Sequence, residues 1–360
     1  MGLRFHWRML MGGEDRVVTR SAMNSREETG IPSLDAQIRF CRAAEESGID
    51  SLLTDFGFSK PDPILLAAVL GMATESIKFI VAYRSGLLCP TVFVQQLNTL
   101  STLINGRFSL NIVAGNAPEE QRYYGDYLSH DERYARTEEL LTICRALWKR
   151  DGPVTFAGQY YKLEGARLNT PFISSDRSSP EIFIGGKSAP AQRLAVKYGD
   201  CWMMIGDAPE RIRAQIAPAL EAGIEVGLRM AIVAAPTREA AVNDACSLVA
   251  GLDRDAEKER QYVHRSDSVS LRAVHGLEAE WVTRYLWTGA VRCIGGAAIA
   301  LVGSPDEIAS AIMEYRDVGI TQFIFSGWPK LDAMKYFGKE ILPLIRIKEQ
   351  AAARAVPRTH

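Results

Sequence analysis

The sequence predicts an α/β fold, a (β/α)8 TIM barrel formed as a single domain by residues 1–360. Apolar runs of four to eight residues alternate with segments of helical period, which is typical of parallel strands covered by helices. Eight such units follow one another without a break in composition, and this favours a closed barrel over an open sheet. An open dinucleotide-binding sheet also needs a G-x-G-x-x-G turn after its first strand, and residues 9–15 do not supply one.

The apolar runs place the eight strands in order. The first four strands are predicted over residues 3–10, 50–56, 77–83 and 108–114, and the last four over residues 180–186, 201–205, 226–234 and 321–326. Helical periodicity predicts connecting helices over residues 33–47, 63–74, 91–104, 131–148, 189–198 and 209–221. Gly48 follows the first of these helices, as expected at a helix C-terminus.

Two insertions interrupt the repeat. Residues 155–163 alternate around a central glycine and predict a small hairpin before strand five. Residues 253–300, before strand eight, begin with many charges and continue with Trp, Arg and Gly. A segment of this length within a barrel is usually a lid, a binding loop or a subunit contact. Residues 349–360 are expected to form a frayed basic tail.

Composition excludes several classes of protein. A formal net charge of -1 leaves no basic excess to neutralise nucleic-acid phosphates. The N-terminus lacks the apolar core of a signal peptide, and no apolar run approaches the roughly 20 residues that span a bilayer. The 6 cysteines are scattered without C-x-x-C spacing, which indicates reduced and mostly buried thiols. We therefore expect a cytoplasmic protein.

Functional groups of a TIM barrel lie where the strands end. The polar and aromatic candidates at the predicted strand ends are Thr54, Asp55, Phe58, Ser59, Lys60, Arg84, Ser85, Asn111, Asn116, Glu120, Lys187, Ser188, Arg229, Ser326 and Trp328, with Ala114, Gly115, Gly185 and Gly186 among them. Arg84 and Arg229 each interrupt an apolar strand, so each must be ion-paired or face a wet pocket. No Ser-His-Asp constellation and no spaced pair of metal-binding histidines occurs, so no metal is expected.

The turn from Gly185 to Ser188 is a candidate phosphate site. Its glycines allow close approach, Ser188 can donate its hydroxyl, and the next helix presents free N–H groups. Ser188 can equally be a plain helix N-cap. The segment from His130 to Tyr134 has a similar alternative, because Ser129 or Asp131 can cap a helix there.

Several of these segments resemble one enzyme family, in the same order along the chain. They are residues 78–84, 90–92, 103–108, 111–115, 130–134, 184–188, 266–268, 300–303 and 326–329. All resemble the alkanesulfonate and dimethylsulfone monooxygenases, which are flavin-dependent members of the bacterial luciferase superfamily.

The resemblance implies one component of a two-component system. A separate NAD(P)H-dependent flavin reductase would supply reduced FMN (FMNH2), and this chain would trap O2 as a flavin peroxide and oxygenate a small polar or anionic substrate. The resemblance further implies a homodimer or homotetramer. The barrel would exclude water from the flavin, since water promotes the release of hydrogen peroxide without oxygenation of the substrate.

Residue roles carried over from the resemblance fall into two groups. Asn111 and Glu120 are expected beside the flavin, and Arg133, Tyr134 and Ser188 at its phosphate. The remaining expected cofactor contacts are Asp55, Ala114, His130 and Gly186. Residues 253–300 match the mobile lid of the family. The expected catalytic residues are Arg229 and Arg292, which match family arginines, the second of them on this lid, together with Lys60 and Trp328, which differ from the family residues at their positions.

Departures from the family pattern concern the substrate. Lys60 replaces a cysteine of the alkanesulfonate enzymes, Ala231 replaces a histidine and Trp328 replaces a tyrosine. Alanine cannot act as an acid or base, and tryptophan cannot donate a phenolic proton, so sulfonate cleavage is not expected. A carboxylate, sulfonate or other polar substrate would suit the cations, with Trp328 and Phe58 against its organic part.

Three other functions stay open at this point. One is a deazaflavin-dependent oxidoreductase of the same superfamily, and another is a non-catalytic relative that binds flavin. A barrel hydrolase is disfavoured because the metal ligands common in such enzymes are missing from the sequence.

Overall fold

The structure is a computed structural model that describes residues 2–11 and 33–355. Its strands are β1 (Arg4–Arg8), β2 (Ser51–Thr54), β3 (Lys78–Arg84), β4 (Phe108–Val113), β5 (Val154–Ala157), β6 (Lys162–Ala166), β7 (Glu181–Gly185), β8 (Cys201–Ile205), β9 (Glu225–Ala234), β10 (Leu286–Trp287), β11 (Ala300–Gly303) and β12 (Ile320–Ser326).

The helices lie mostly between the strands. They are α1 (Leu34–Glu46), α2 (Pro63–Met72), α3 (Pro90–Leu103), α4 (Pro118–Tyr123), α5 (His130–Lys149), α6 (Ala189–Tyr198), α7 (Pro209–Glu221), α8 (Arg238–Val249), α9 (Asp253–Arg265), α10 (Val269–His275), α11 (Val291–Ile294), α12 (Pro305–Asp317), α13 (Lys330–Tyr336) and α14 (Leu342–Ala355).

Eight parallel strands close into a barrel. Their order around the ring is β1, β2, β3, β4, β7, β8, β9 and β12, and β12 pairs with β1 to complete it. These eight are the strands expected from the apolar runs, and the predicted (β/α)8 TIM barrel is confirmed. Parallel strands with helices on their outer face bury both sides, which explains why the strands are almost uninterrupted apolar runs.

The two inserted segments have their own structure. β5 and β6 form an antiparallel pair beside the barrel. The lid segment, residues 253–300, contains α9, α10, β10 and α11. β11 then pairs with the end of β9, and β10 pairs with β11 in the opposite direction. The predicted motion of this segment stays a prediction.

The expectation of a frayed tail was wrong for residues 349–355. α14 continues to Ala355, and the Glu349 carboxylate accepts hydrogen bonds from the backbone N–H of Leu3 at 2.7 Å and from Arg346 at 2.6 Å. The tail is held because its acidic residue anchors the start of β1. Residues 356–360 lie outside the described part.

Side chains fill the barrel below its mouth. An apolar cluster that includes Leu53, Phe183, Met203 and Ile324 lies inside it. Beneath this cluster, Arg4 forms ion pairs with Glu181 and Glu225 at the amino ends of their strands. The cluster and the ion pairs close the lower end, so the open space lies at the carboxyl ends of the strands. Within the described ranges, no helix is both long and apolar enough to span a membrane.

Candidate active site

A cavity of about 370 Å³ opens at the carboxyl ends of the barrel strands. All eight barrel strands, or the loops directly after them, contribute to its lining, and residues 267–271, 294–295 and 297–298 of the lid segment contribute as well. This is the position at which TIM-barrel enzymes bind their substrates. A cavity of this size suits a small organic molecule or part of a cofactor.

Asn111 gives one wall of the cavity an unused hydrogen-bond acceptor. The residue lies on β4 and is buried, and its Oδ1 has no hydrogen-bond partner among the described residues. Gly185 at the end of β7 leaves space beside it, because a Cβ on that glycine would lie 3.5 Å from Oδ1. A buried acceptor without a partner is costly, so this position calls for a donor from a bound group.

The turn after β7 lies beside this wall and presents hydroxyl groups. Ser188 caps α6 by accepting a hydrogen bond from the Ala191 N–H at 3.4 Å. Gly186 has φ 126°, and a Cβ there would lie 3.0 Å from the Tyr134 Oη. Burial raises the pKa of Tyr134, while its hydrogen bond with Ser188 acts in the opposite direction. The phenol therefore stays protonated at neutral pH and can donate.

His130 supports the same corner of the cavity. Its ring lies 4.9 Å from that of Tyr134, centroid to centroid, and its Nδ1 is 2.7 Å from Asp131 Oδ1. Both aromatic rings line the cavity. With the N–H groups at the start of α6, the corner is suited to a phosphate, the group expected from the sequence beside Tyr134, Ser188 and Gly186.

Arg133 lies behind the cavity wall. Its side chain is 2% exposed, and its guanidinium donates to the carbonyl oxygens of Ala114 at 2.9 Å and Leu128 at 2.7 Å. It also forms an ion pair with Asp267 of the lid segment at 2.6 Å. Arg133 is absent from the described residues that line the cavity. This placement argues against the predicted direct contact with a phosphate, because its donors already hold the β4 loop and the lid.

The lid segment is fastened to the same β4 loop. The Ser266 Oγ and the Asp267 backbone N–H donate to the carbonyl oxygen of Asn116, at 2.7 Å and 2.9 Å. Together with the ion pair between Arg133 and Asp267, these bonds hold α10 over the cavity, and Asp267 to Leu271 line it. We call these three contacts the lid latch.

A cluster of charges occupies the other side of the mouth. Asp55, directly after β2, is buried and is surrounded by the cations of Arg8, Lys60 and Arg229. Arg8 Nη2 is 2.6 Å and Lys60 Nζ 3.2 Å from Asp55 Oδ2, and Arg229 Nη2 is 3.4 Å from Oδ1. We call these four residues the cationic cluster.

The charges in the cationic cluster perturb one another. Burial acts to raise the pKa of Asp55, but the neighbouring Arg8, Lys60 and Arg229 prevail and hold it well below its usual range. Burial, with Arg8 and Arg229 nearby, lowers the pKa of Lys60 to about 8 even though Asp55 opposes this. Perturbed groups of this kind, grouped in a cavity, are typical of functional sites.

Comparison with known proteins identifies the family. The model of the luciferase-like monooxygenase family matches residues 16–322. The chain belongs to this family. As a luciferase-like monooxygenase it is a flavin-dependent oxidoreductase.

Solved structures with the same fold include enzymes of different activities. A riboflavin lyase, solved with modified FMN and riboflavin, is 19% identical to this chain. The match covers 97% of this chain and 92% of the lyase, with a TM-score of 0.77. An EDTA monooxygenase from Chelativorans sp. BNC1 is 20% identical over 97% of this chain and 94% of its own, with a TM-score of 0.75. An F420-dependent secondary alcohol dehydrogenase is 20% identical, and the match covers 96% of this chain and 100% of the dehydrogenase, with a TM-score of 0.66.

Glu120 of this luciferase-like monooxygenase lines the cavity through an ion pair. Its Oε1 is 2.8 Å from Arg84 Nη2 and also accepts the Phe58 N–H at 3.2 Å. Arg84 in turn lies over the ring of Phe56 at 4.9 Å. The pair therefore joins β3, α4 and the loop after β2. Asp55 lies in the cationic cluster and lines the same cavity, and its expected contact with the cofactor stays a prediction.

Trp328 and Arg292, two of the expected catalytic residues, differ in whether they line the cavity. Trp328, half-buried after β12, lines the cavity as expected. Arg292 is exposed on α11 and is absent from the described lining residues, although Ile294 and Gly295 just beyond it are present. In this arrangement Arg292 does not reach the site, and its catalytic role stays a prediction.

Sequence reasoning missed Arg8. The residue ends β1 and contributes the closest cation to Asp55. It interrupts an apolar strand, just as Arg84 and Arg229 do, so the argument applied to those two arginines could have found it. No group of three or more His, Cys, Asp or Glu side chains suited to a metal ion occurs in the described part of the chain.

Proposed function

We propose that this protein is the oxygenating component of a two-component monooxygenase. It binds FMNH2 delivered by a separate NAD(P)H-dependent flavin reductase, and it uses O2 to oxygenate a small polar or anionic organic substrate. The observation that supports this best is a single cavity with two different polar sides. One side presents Asn111, Tyr134 and Ser188, and the cationic cluster lies on the other.

The first side fits FMN. The Asn111 Oδ1 lacks a donor among the described residues, and a flavin ring carries an N–H that can supply it. Gly186 keeps a space next to the Tyr134 hydroxyl that a Cβ would fill. The Tyr134 and Ser188 hydroxyls with the start of α6 then suit the phosphate. Asn111, Tyr134, Ser188 and Gly186 are thus the proposed cofactor contacts, with His130 and Ala114 supporting them.

Reduced FMN held there would supply the electrons for the reduction of O2. The residues of the chain then have three tasks. The lid latch keeps water away from the reacting centre, because Asp267 to Leu271 cover the mouth. Trp328 contacts the organic part of the substrate, and the cationic cluster binds its polar or anionic part.

The alternative is a deazaflavin-dependent oxidoreductase, since an F420-dependent dehydrogenase has the same fold. An anaerobic titration with FMNH2 and with reduced deazaflavin separates the two proposals. We expect saturable binding of FMNH2, weakened about tenfold by Tyr134→Phe combined with Ser188→Ala, since two hydrogen bonds to a charged group are lost. Binding of the deazaflavin in preference to FMNH2 would overturn the proposal.

Catalysis requires a second measurement. The protein is mixed with a flavin reductase, NADH, FMN and candidate substrates, and oxygen uptake is followed together with product formation. Oxygenated product in proportion to oxygen consumed supports the proposal. If FMNH2 binds but every candidate acid and polar compound returns unchanged, with only hydrogen peroxide formed, the non-catalytic relative becomes the better account.

A further inference from the structure

We infer that Arg8 and Lys60 form an anion subsite for the substrate, so the substrate has one singly charged oxyanion group, a carboxylate or sulfonate, on an organic body. This inference rests on the proposed function and narrows it to a substrate class. It also assigns a specificity-determining role to Arg8.

The two cations converge from neighbouring parts of the barrel. Arg8 is the last residue of β1 and is paired in register with Leu53 of β2. Asp55 follows β2 directly, and Lys60 lies in the loop after it. The Nε and Nη2 of Arg8 lie 3.1 Å and 2.6 Å from Asp55 Oδ2, and Lys60 Nζ lies 3.2 Å from the same oxygen. One carboxylate oxygen therefore fixes both cations.

Charge is not balanced within this group. Asp55 supplies one negative charge to Arg8 and Lys60, so these three residues have one positive charge in excess even when Arg229 is left out of the count. Positive charge held out of water in this way is costly unless an anion joins it. The excess on Arg8, Lys60 and Asp55 equals the charge of one carboxylate or sulfonate, and Arg229 adds further positive charge beside them.

Both cations remain accessible from the cavity. The side chains of Arg8 and Lys60 are 22% and 14% exposed, and both line the cavity. Arg8 uses Nε and Nη2 on Asp55, and no hydrogen bond within the described residues uses its Nη1. A guanidinium held along one edge presents its other edge to a planar or tetrahedral oxyanion.

The subsite is separate from the proposed phosphate site. β1, which ends in Arg8, and β7, which leads into Ser188, lie four strands apart in either direction around the ring of eight. The two anion-binding positions are therefore on opposite sides of the mouth. A cofactor bound through its phosphate at Ser188 leaves Arg8 and Lys60 for a second molecule.

An organic body suits the surface between the two positions. Leu53, Met203 and Ile324 line the cavity from inside the barrel, and half-buried Trp328 lines it from the loop after β12. An inorganic anion would leave these apolar surfaces wet, whereas an organic acid would cover them. Charge and apolar lining together indicate an organic monoanion.

Calorimetric titration of the full-length protein without flavin tests the subsite directly. The probes are pairs of equal shape but different charge: acetate and acetamide, benzoate and benzamide, benzenesulfonate and benzenesulfonamide, all at constant ionic strength. We expect at least one acid to bind about tenfold or more tightly than its amide, because a charged hydrogen-bond pair is lost in the amide. Comparing the carboxylates with the sulfonate shows which head group the site prefers.

Variants then assign the effect to the two residues. Arg8→Gln and Lys60→Gln should each weaken binding of the acid about tenfold, and Arg8→Lys should restore part of it. Arg177→Gln is the matched control, because Arg177 forms an exposed ion pair with Asp200 away from the cavity and should change acid affinity by less than about twofold. Lys60→Gln lies in a loop, so it gives an independent result if Arg8→Gln does not fold.

Two outcomes would overturn the inference. One is that no acid binds more tightly than its amide, and the other is that both Gln variants bind acids as the unchanged protein does. Titration with FMNH2 is performed separately on the same variants. Failure to bind FMNH2 contradicts the proposed function but does not affect the result with the acids.

Discussion

Lys60 changes its charge within the pH range of ordinary enzyme assays. Burial, with Arg8 and Arg229 in the same direction and Asp55 opposed, lowers its pKa to about 8. The ammonium form dominates below that pH and the neutral amine above it, so binding of an organic acid should weaken several-fold between about pH 7 and about pH 9. Titration calorimetry across this range checks the prediction. Lys60→Arg should remove the pH dependence, since arginine keeps its charge, and a wild-type affinity that is flat with pH would contradict it.

Asp55 keeps the cations of Arg8, Lys60 and Arg229 together. Asp55→Asn removes the negative charge but keeps the shape, so the free energy of unfolding should fall by about 3 kcal/mol or more. Because the pKa of Asp55 lies well below its usual range, its stabilisation is present at pH values above about 4 and is lost as pH falls through the folded-state pKa. Urea unfolding at neutral pH and in acid measures the free energy of unfolding of both proteins. The difference between Asp55→Asn and wild type should become smaller in acid. An equal difference in the free energy of unfolding at both pH values would show that the charge of Asp55 is not the cause of the lost stability.

The direction of a side chain limits what the sequence could predict at the scale of one residue. The strand ends were predictable, so Asp55, Lys60, Asn111 and Arg229 were found. Arg133 was assigned to a phosphate by resemblance, yet it lies on the buried stripe of α5 with Thr137, Leu140 and Cys144. That stripe has helical spacing and is visible in the sequence, so periodicity could have placed Arg133 inward.

At the scale of elements, the lid latch joins the lid segment to the β4 loop. Asp267→Asn keeps the size of the side chain but removes the charge that pairs with Arg133 at 2.6 Å. We expect faster backbone hydrogen exchange in residues 253–300, more hydrogen peroxide per O2 consumed, and a smaller change in FMNH2 affinity, because the loss is in water exclusion. Glu257→Gln is the matched control, since Glu257 is also on the lid but pairs with Arg260 at the surface. Equal exchange rates in both variants would show that the ion pair does not hold the lid.

The barrel strands could be predicted from the sequence, whereas the arrangement of the lid segment could not. Strands of the barrel are short apolar runs with polar residues at their ends, and each run has one plausible conformation in an α/β protein. The lid segment has no such regular period, and its short helix α11 (Val291–Ile294) packs against α9 and α10 earlier in the same segment. The resemblance alone placed Arg292 over the site, because a segment without periodicity gives no sequence signal for the direction of its side chains.

At the scale of the whole molecule, the barrel separates its stability from its chemistry. The apolar cluster inside the barrel lies between the cavity and the ion pairs of Arg4 with Glu181 and Glu225 at the amino ends of the strands. Residues at that end of a TIM barrel serve stability, and residues at the carboxyl end serve function. The closed ring was predictable because eight similar units leave few other arrangements, whereas the pairing of β11 with the end of β9 depends on contacts between distant segments.

Glu225→Gln tests this separation. Glu225 bonds to Arg4, Thr321 and Gln322, so the change removes a half-buried charge from a network that keeps Glu181 as the other partner of Arg4. The free energy of unfolding should fall by about 1–3 kcal/mol, measured by urea denaturation, while the affinity for FMNH2 and for organic acids should change by less than about threefold. Arg8→Gln, at the other end of the same strand as Arg4, is the comparison: it should affect acid binding much more than Glu225→Gln does. If Glu225→Gln weakened acid binding as strongly as Arg8→Gln, the two ends of the barrel would be coupled through its interior, and the cationic cluster could not be treated as an independent site.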